Sequence, residues 1–324
     1  MTEPTLKIEK TWTFKSEKRP TAIFVIGAGG TGSYFVPMIS RDIHTMETPP
    51  SLVLCDGDVV EEKNLKRQHF IASDIGKNKA AALAGRYSAA FGISVGYKDE
   101  FIETKEAFID LLSSGGGNVI VVTCVDNIKT RLLLREAIAE VVDFDVFWID
   151  CGNEAYAGQA VLAARCPWWA PHTIEQGRFP MPDVFDLYPE LFERAKQDKL
   201  PTEMSCAELA ESSPQYGFVN LLSSTVALNW AHDLLYSEPI RTNVVEFSIK
   251  NKYRHTPLIE SNIEAWKCLA SFGRFNDFKY FQILRKKKAK AADKAKMATE
   301  ATKLSNKGAE ANELKKKKPI LVAE

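Results

Sequence analysis

The stretch TAIFVIGAGGTGSYFVPMI at residues 21–39 decides the fold. Its opening, Thr21 to Ile26, is a short apolar run of the kind that is buried on both faces of a parallel sheet. Glycines stop the run at once, and from Ser33 to about Ile43 the pattern becomes helical. The turn between them is GAGGTG at 27–32, in which Gly27, Gly29, Gly30 and Gly32 fit G-x-G-x-x-G. Without side chains in the way, backbone N–H groups and the start of a helix can face a phosphate there. The plainer reading of the same glycines is a tight strand-to-helix turn.

Outward from this unit the pattern repeats. SLVLCD at 51–56, NVIVVTCVD at 118–126 and VFWIDCG at 146–152 read as further buried strands. Lys79 to Phe91 and Thr130 to Val142 are Ala- or Leu-rich amphipathic helices between them. Strands alternating with helices predict an α/β fold with a doubly wound, Rossmann-like sheet. It is expected to span residues 21–250 after a polar leader at 1–20. Between 165 and 213, six prolines (Pro167, Pro171, Pro180, Pro182, Pro189, Pro201) imply an irregular insertion or crossing loop with one helix near Glu190 to Asp198. A helix at 218–236 and a strand at 244–251 close the globular part. A C-terminal extension at 251–284 follows, then a basic, Lys/Ala-rich flexible tail at 285–324.

Composition narrows the function. The 324 residues are 45% hydrophobic and 26% charged, which excludes collagen-like, disulfide-scaffold and wholly disordered classes. The zero net charge is a cancellation: from Arg285 onward 13 basic and 5 acidic residues give +8, leaving −8 on residues 1–284. An acidic body argues against binding of a nucleic-acid backbone by the folded part. The KKKK run at 315–318 reads as a solvated, solubilising segment. No apolar run approaches the roughly 20 residues that cross a bilayer, and no signal-peptide core opens the chain, so a cytoplasmic protein is expected. The six cysteines form no CxxC pair, which suggests reduced, mostly buried thiols and no zinc. The five histidines show no metal-ligand spacing. The Trp168-Trp169 pair suits a partner surface and burial against the sheet about equally.

The candidate site lies at the strand ends. Asp56 falls 24 positions after Gly32, where a carboxylate can accept both hydroxyls of an adenosine ribose, in NAD, FAD or ATP alike. The following CDGDVVEEKNLKRQ, 55–68, puts Asp58, Asn64, Arg67 and Gln68 on a segment that a dinucleotide domain does not need. Arg67 and Lys79 have the charge to meet a triphosphate, Arg67 as a fixed and Lys79 as a mobile cation, though each also reads as a solvated surface cation. Asp126-Asn127 sits at the carboxyl edge of its strand, where Asp126 can hold Mg²⁺ or cap the helix that begins near Lys129.

Taken together, GAGGTG, DGDVVEEKNLKRQ, Lys79 and the Asp126-Asn127 pair resemble the ThiF/MoeB/HesA family, relatives of ubiquitin-activating enzymes, over roughly residues 20–250. The resemblance implies adenylation, with ATP's α-phosphate attacked by the C-terminal carboxylate of a small ubiquitin-like protein. It implies that Asp56 holds the ribose, that Asn64, Arg67 and Lys79 hold phosphates, that the Gly29 loop meets the nucleotide backbone, and that Asp126 holds magnesium. Cys206, in EMSCAELAE, resembles the family cysteine that takes the activated acyl group. A homodimer and a conjugating-enzyme-like partner also come from the resemblance. MPDVFDLYPELF at 181–192 with SCAELAE looks like the ThiF-like proteins of PRTRC gene clusters. Two departures stand out: relatives' zinc-binding CxxC pairs are absent, and the short leader offers only Arg19 for an arginine contact across a dimer. The rival readings are a sulfur-carrier adenylyltransferase of cofactor biosynthesis, a nucleotide-binding partner protein without turnover, and an NAD-dependent oxidoreductase. The last leaves Arg67, Lys79 and Asp126 unexplained.

Overall fold

The computed structural model describes residues 12–13, 19–165, 181–204, 216–240, 242–250 and 254–256. In chain order the strands are β1 (Trp12–Thr13), β2 (Ala22–Ile26), β3 (Ser51–Cys55), β4 (Val95–Lys98), β5 (Val119–Thr123), β6 (Val146–Asn153), β7 (Ala157–Arg165), β8 (Pro239–Ile240), β9 (Val244–Ser248) and β10 (Arg254–Thr256). The α-helices are α1 (Gly30–Ile43), α2 (Lys79–Phe91), α3 (Lys105–Ser113), α4 (Ile128–Glu140), α5 (Val184–Leu187), α6 (Leu191–Gln197) and α7 (Gly217–Tyr236). All described residues lie within one unit, Met1–Arg274.

Eight strands form one sheet in the order β10-β9-β7-β6-β5-β2-β3-β4. From β6 to β4 neighbours are parallel, and from β6 outward through β7, β9 and β10 they are antiparallel. Every residue of β2 and of β5 is buried, as central strands covered on both faces require. On one face Phe24, Ile26, Val121 and Trp148 join Phe108, Leu112, Leu134 and Ala137 of α3 and α4 in a common core. On the other, α1 packs along α7 and against α2, while α7 lies on β6 and β7. Burial of each large apolar side chain contributes about 1.5–3 kcal/mol, so the central strands anchor everything at their ends.

Local signals located several elements well. α2 has the bounds expected, because Asn78 caps it by accepting from Ala81 N at 2.9 Å and Gly92 ends it in the left-handed region at φ +67°. α1 starts earlier than expected, at Gly30 inside the glycine motif, and α4 starts at Ile128 rather than Thr130. β5 stops at Thr123, which frees residues 124–127 for the site, and β9 stops at Ser248.

Other elements correct the sequence reading. AGQAVLAAR at 157–165 is a strand despite its alanines, since β7 fills the gap between β6 and β9. β4 and α3 were also unread. The segment expected to hold one helix has two in its described part, α5 and α6, with a 3₁₀ turn at Pro201–Glu203. In the leader, β1 pairs antiparallel with β8. Trp168-Trp169, Cys206 and the basic tail lie outside the described residues. Among the described residues no helix is long and apolar enough to cross a membrane.

α5 is held by charge. Arg135 of α4 donates from Nε to Asp183 at 2.8 Å and from Nη2 to Asp186 at 3.0 Å. Burial and neighbouring Asp183 push the Asp186 carboxyl up to about 6, against the pull of Arg135. An acid raised in the folded state binds its proton more tightly there than in the unfolded chain. Its contribution is complete below about 3.9 and is lost as pH rises through about 6. Asp186→Asn should therefore gain on the wild type in melting temperature between pH 4 and pH 7.5, by a few degrees. A pH-independent difference between the two melting curves would refute the assignment.

Candidate nucleotide site

The crossover that follows β2 runs to β3 and the one that follows β5 runs the other way, to β6, so a crevice opens at the carboxyl ends of these two strands. The glycine turn lines one side. Gly27 has φ +93°, and a Cβ there would lie 2.8 Å from the Cys124 carbonyl oxygen. A Cβ on Gly32 would fall 2.0 Å from the carbonyl oxygen of Gly27. The turn is therefore folded back on itself and against the end of β5, which only bare backbone allows. Gly29 is the N-cap of α1 and provides no side-chain cap, so the helix presents its first N–H groups to the crevice.

Asp56 follows β3 and is buried. Its Oδ2 accepts from Ala28 N at 2.6 Å and its Oδ1 from Asp58 N at 2.8 Å, tying the glycine turn to the DGDVV segment. Burial raises the Asp56 carboxyl above its ordinary value, against the pull of Lys79. Lys79 opens α2 with its side chain 8% exposed and donates to Asp58 Oδ2 at 2.6 Å. The cation expected to be mobile is thus fixed at the base of the site. Asn64 is buried in the 3₁₀ turn Glu62–Lys66, where its Oδ1 accepts from Glu61 N at 2.8 Å. Arg67 ends that turn, half-buried. Gln68 is buried beside the glycine turn, its Nε2 3.7 Å from where a Gly29 Cβ would be, and its Oε1 has no hydrogen-bond partner.

On the opposite wall the Asp126-Asn127 pair divides its work. Asn127, not Asp126, caps α4, accepting at Oδ1 from Thr130 N at 2.8 Å and donating from Nδ2 to the Lys199 carbonyl. Asp126 is exposed, and among the described residues no hydrogen bond or ion pair engages its carboxylate. Arg131 holds the loop beneath it, donating to the carbonyls of Val125 at 2.5 Å and Cys151 at 3.0 Å while pairing with buried Asp150 at 3.3 Å. Sequence reasoning missed this pair. Its signal was an aspartate inside the apolar run VFWIDCG, since a buried carboxylate needs a partner.

The segment that leads toward Cys206 crosses this wall. Asp198 Oδ2 accepts from Ile128 N at 2.7 Å, Glu203 pairs with Lys129 at 2.7 Å, and Thr202 N donates to Glu103 at 2.9 Å. The described cysteines, Cys55, Cys124 and Cys151, are packing residues. Burial pushes the Cys55 thiol up to about 12, and a hydrogen bond with Cys151 together with burial raises that of Cys124. Neither is a ready thiolate.

A doubly wound sheet with an uncapped glycine-turn helix and a carboxylate at the switch point defines a Rossmann-like nucleotide-binding architecture. The ThiF family profile matches residues 16–268, and the chain belongs to the ThiF family. Ubiquitin-like modifier-activating enzyme 5 of Drosophila sechellia is 30% identical over 131 residues, covering 38% of this chain and 31% of that protein. The enzyme of the same name from Bombyx mori is 30% identical over 146 residues, covering 41% and 34%. The match thus spans about a third of the length of these curated relatives. Among solved structures, E. coli MccB with ATP superposes with a TM-score of 0.51 at 16% identity, covering 74% of this chain and 64% of that one. PaaA gives 0.50 at 14% identity with the same coverage. At these identities the likeness is one of fold.

Proposed function

We propose that this chain binds Mg-ATP in the crevice at the carboxyl ends of β2 and β5, lined by the glycine turn, and adenylates the C-terminal carboxylate of a small ubiquitin-like protein. The Cys206 thiolate then attacks the acyl carbon of the adenylate, forming a thioester as the acyl–phosphate bond breaks and AMP leaves. The observation that carries the reading is Asp126, exposed just past the end of β5 with its carboxylate engaged by nothing among the described residues, while α1 opens after β2 without a side-chain cap. Membership of the ThiF family and the likeness to ubiquitin-like modifier-activating enzyme 5 support the choice of chemistry.

The chemistry accounts for the residue types. A carboxylate oxygen attacks the α-phosphorus, the bond to the bridging oxygen breaks, and pyrophosphate leaves. Both reactants are anionic, so the site must supply positive charge rather than an acid–base pair. The glycine-turn N–H groups, Arg67 and Lys79 provide it on the protein's side, and Asp56 takes the ribose. Among the described residues no cluster of three or more His, Cys, Asp or Glu could hold a metal. A lone Asp126 fits magnesium, which keeps most of its ligands as water and phosphate oxygens. When bound, the ion neutralises phosphate charge.

The nucleophile for transfer is assigned to Cys206 from its resemblance to the family cysteine, and Cys55 and Cys124, held as thiols, do not compete for the role. The pinned segment 198–203 brings the chain beside the crevice three residues before it. The resemblance to PRTRC-cluster proteins favours conjugation over sulfur transfer. The test is mass spectrometry of the purified protein with Mg-ATP and a small ubiquitin-like protein with a free, flexible C-terminal tail. The expected result is a thiol-labile adduct at Cys206, with the adenylate still forming in Cys206→Ala. Adenylate without an adduct would remove the transfer step, and no carrier-dependent pyrophosphate exchange would remove the adenylation itself.

A further inference from the structure

Two asparagines that the sequence reading passed over lie against the glycine turn. Asn220, in the first turn of α7, is 1% exposed. Its Oδ1 accepts from Nδ2 of Asn153 at 3.0 Å, and the same Nδ2 of Asn153 donates to Thr31 Oγ1 at 2.7 Å. Nδ2 of Asn220 donates to the Arg67 carbonyl at 3.4 Å. A Cβ on Gly30 would sit 2.6 Å from that nitrogen, so the amide occupies the space Gly30 leaves empty. One chain of amides, buried at Asn220 and half-buried at Asn153, thereby joins α1, the end of β6, α7 and the NLKRQ turn.

We infer that Asn220, oriented by Asn153, is a positioning residue that fixes the Arg67 backbone relative to the first turn of α1. The inference rests on the proposed reading of Arg67 as a phosphate contact. The need is physical. Arg67 ends a short 3₁₀ turn, in which the N–H groups of Arg67 and Gln68 share the Asn64 carbonyl at 3.1 and 2.9 Å. Hydrogen-bond geometry in such turns is poorer than in an α-helix. A guanidinium and a set of backbone N–H groups can serve the same phosphate chain only if the distance between their origins is fixed, and preorganisation of that kind is what makes charge effective. Asn220 supplies the fixed distance from a side chain that buries both its donor and its acceptor. A buried amide left half-satisfied is costly, so the arrangement persists only when all four elements are in place.

The test is a binding cycle, with ATP and adenosine titrated calorimetrically into wild type, Asn220→Ala, Arg67→Ala and the double variant. Asn220→Leu is added because it keeps the volume while removing both hydrogen bonds. Asn220→Ala and Asn220→Leu should each weaken ATP binding by about tenfold, the worth of one positioned hydrogen bond, and change adenosine binding by less than about twofold. In the Arg67→Ala background the Asn220 substitution should add less than about twofold. Additive losses, or an equal loss for adenosine, would show a role in folding alone and overturn the inference. Failure of the wild type to bind ATP would instead strike the proposed function itself.

Discussion

Asp126→Ala should lower carrier-dependent ATP–pyrophosphate exchange by about 10²–10³-fold, the usual effect of deleting one electrostatic group aimed at a transferring phosphoryl centre. The same variant should keep its melting temperature within about a degree, because the Asp126 side chain is exposed and engages nothing among the described residues. The pairing of those two outcomes is what makes the test sharp. Asn127, next in sequence, caps α4 and clamps residue 199, so its loss would act through folding. Exchange that survives Asp126→Ala at the wild-type rate would sink the magnesium assignment.

The second large effect is structural. Gly32→Ala would place a methyl carbon 2.0 Å from the Gly27 carbonyl oxygen, a backbone atom that cannot swing aside. The helix-propensity gain of Ala over Gly, about 1 kcal/mol, is far too small to offset this. We expect destabilisation of about 3 kcal/mol and loss of ATP binding, read from urea denaturation and calorimetry. Gly85→Ala in α2 is the control, since its Cβ would meet nothing within 4 Å. That variant should gain about 0.5–1 kcal/mol. Equal behaviour of the two would mean that the glycine turn is not folded back on itself.

Much of the site was legible because its residues follow one another. The glycine turn, DGDVV and the Asp126-Asn127 pair each sit at the end of an apolar run, and in a parallel sheet the ends of such runs necessarily meet. What each side chain does there was less legible. Lys79 was read as a mobile cation, and its burial against Asp58 depends on how α2 docks. The cap read as a possible role of Asp126 belongs to Asn127, because α4 starts at Ile128, and Asp126 lies outside the cap and is exposed.

The order of βα units and the bounds of α2 are written locally, in apolar runs, Asn78, Gly92 and the glycines, because strand burial and helix caps involve residues only a few positions apart. The Ala-rich β7, the Arg131–Asp150 support and the amides linking Thr31, Asn153, Asn220 and Arg67 were decided by the tertiary structure alone. These amide contacts join residues 67 to 153 positions apart. No local pattern specifies them: a polar residue in an apolar helix shows only that some partner is needed, and the partner is chosen when the sheet closes.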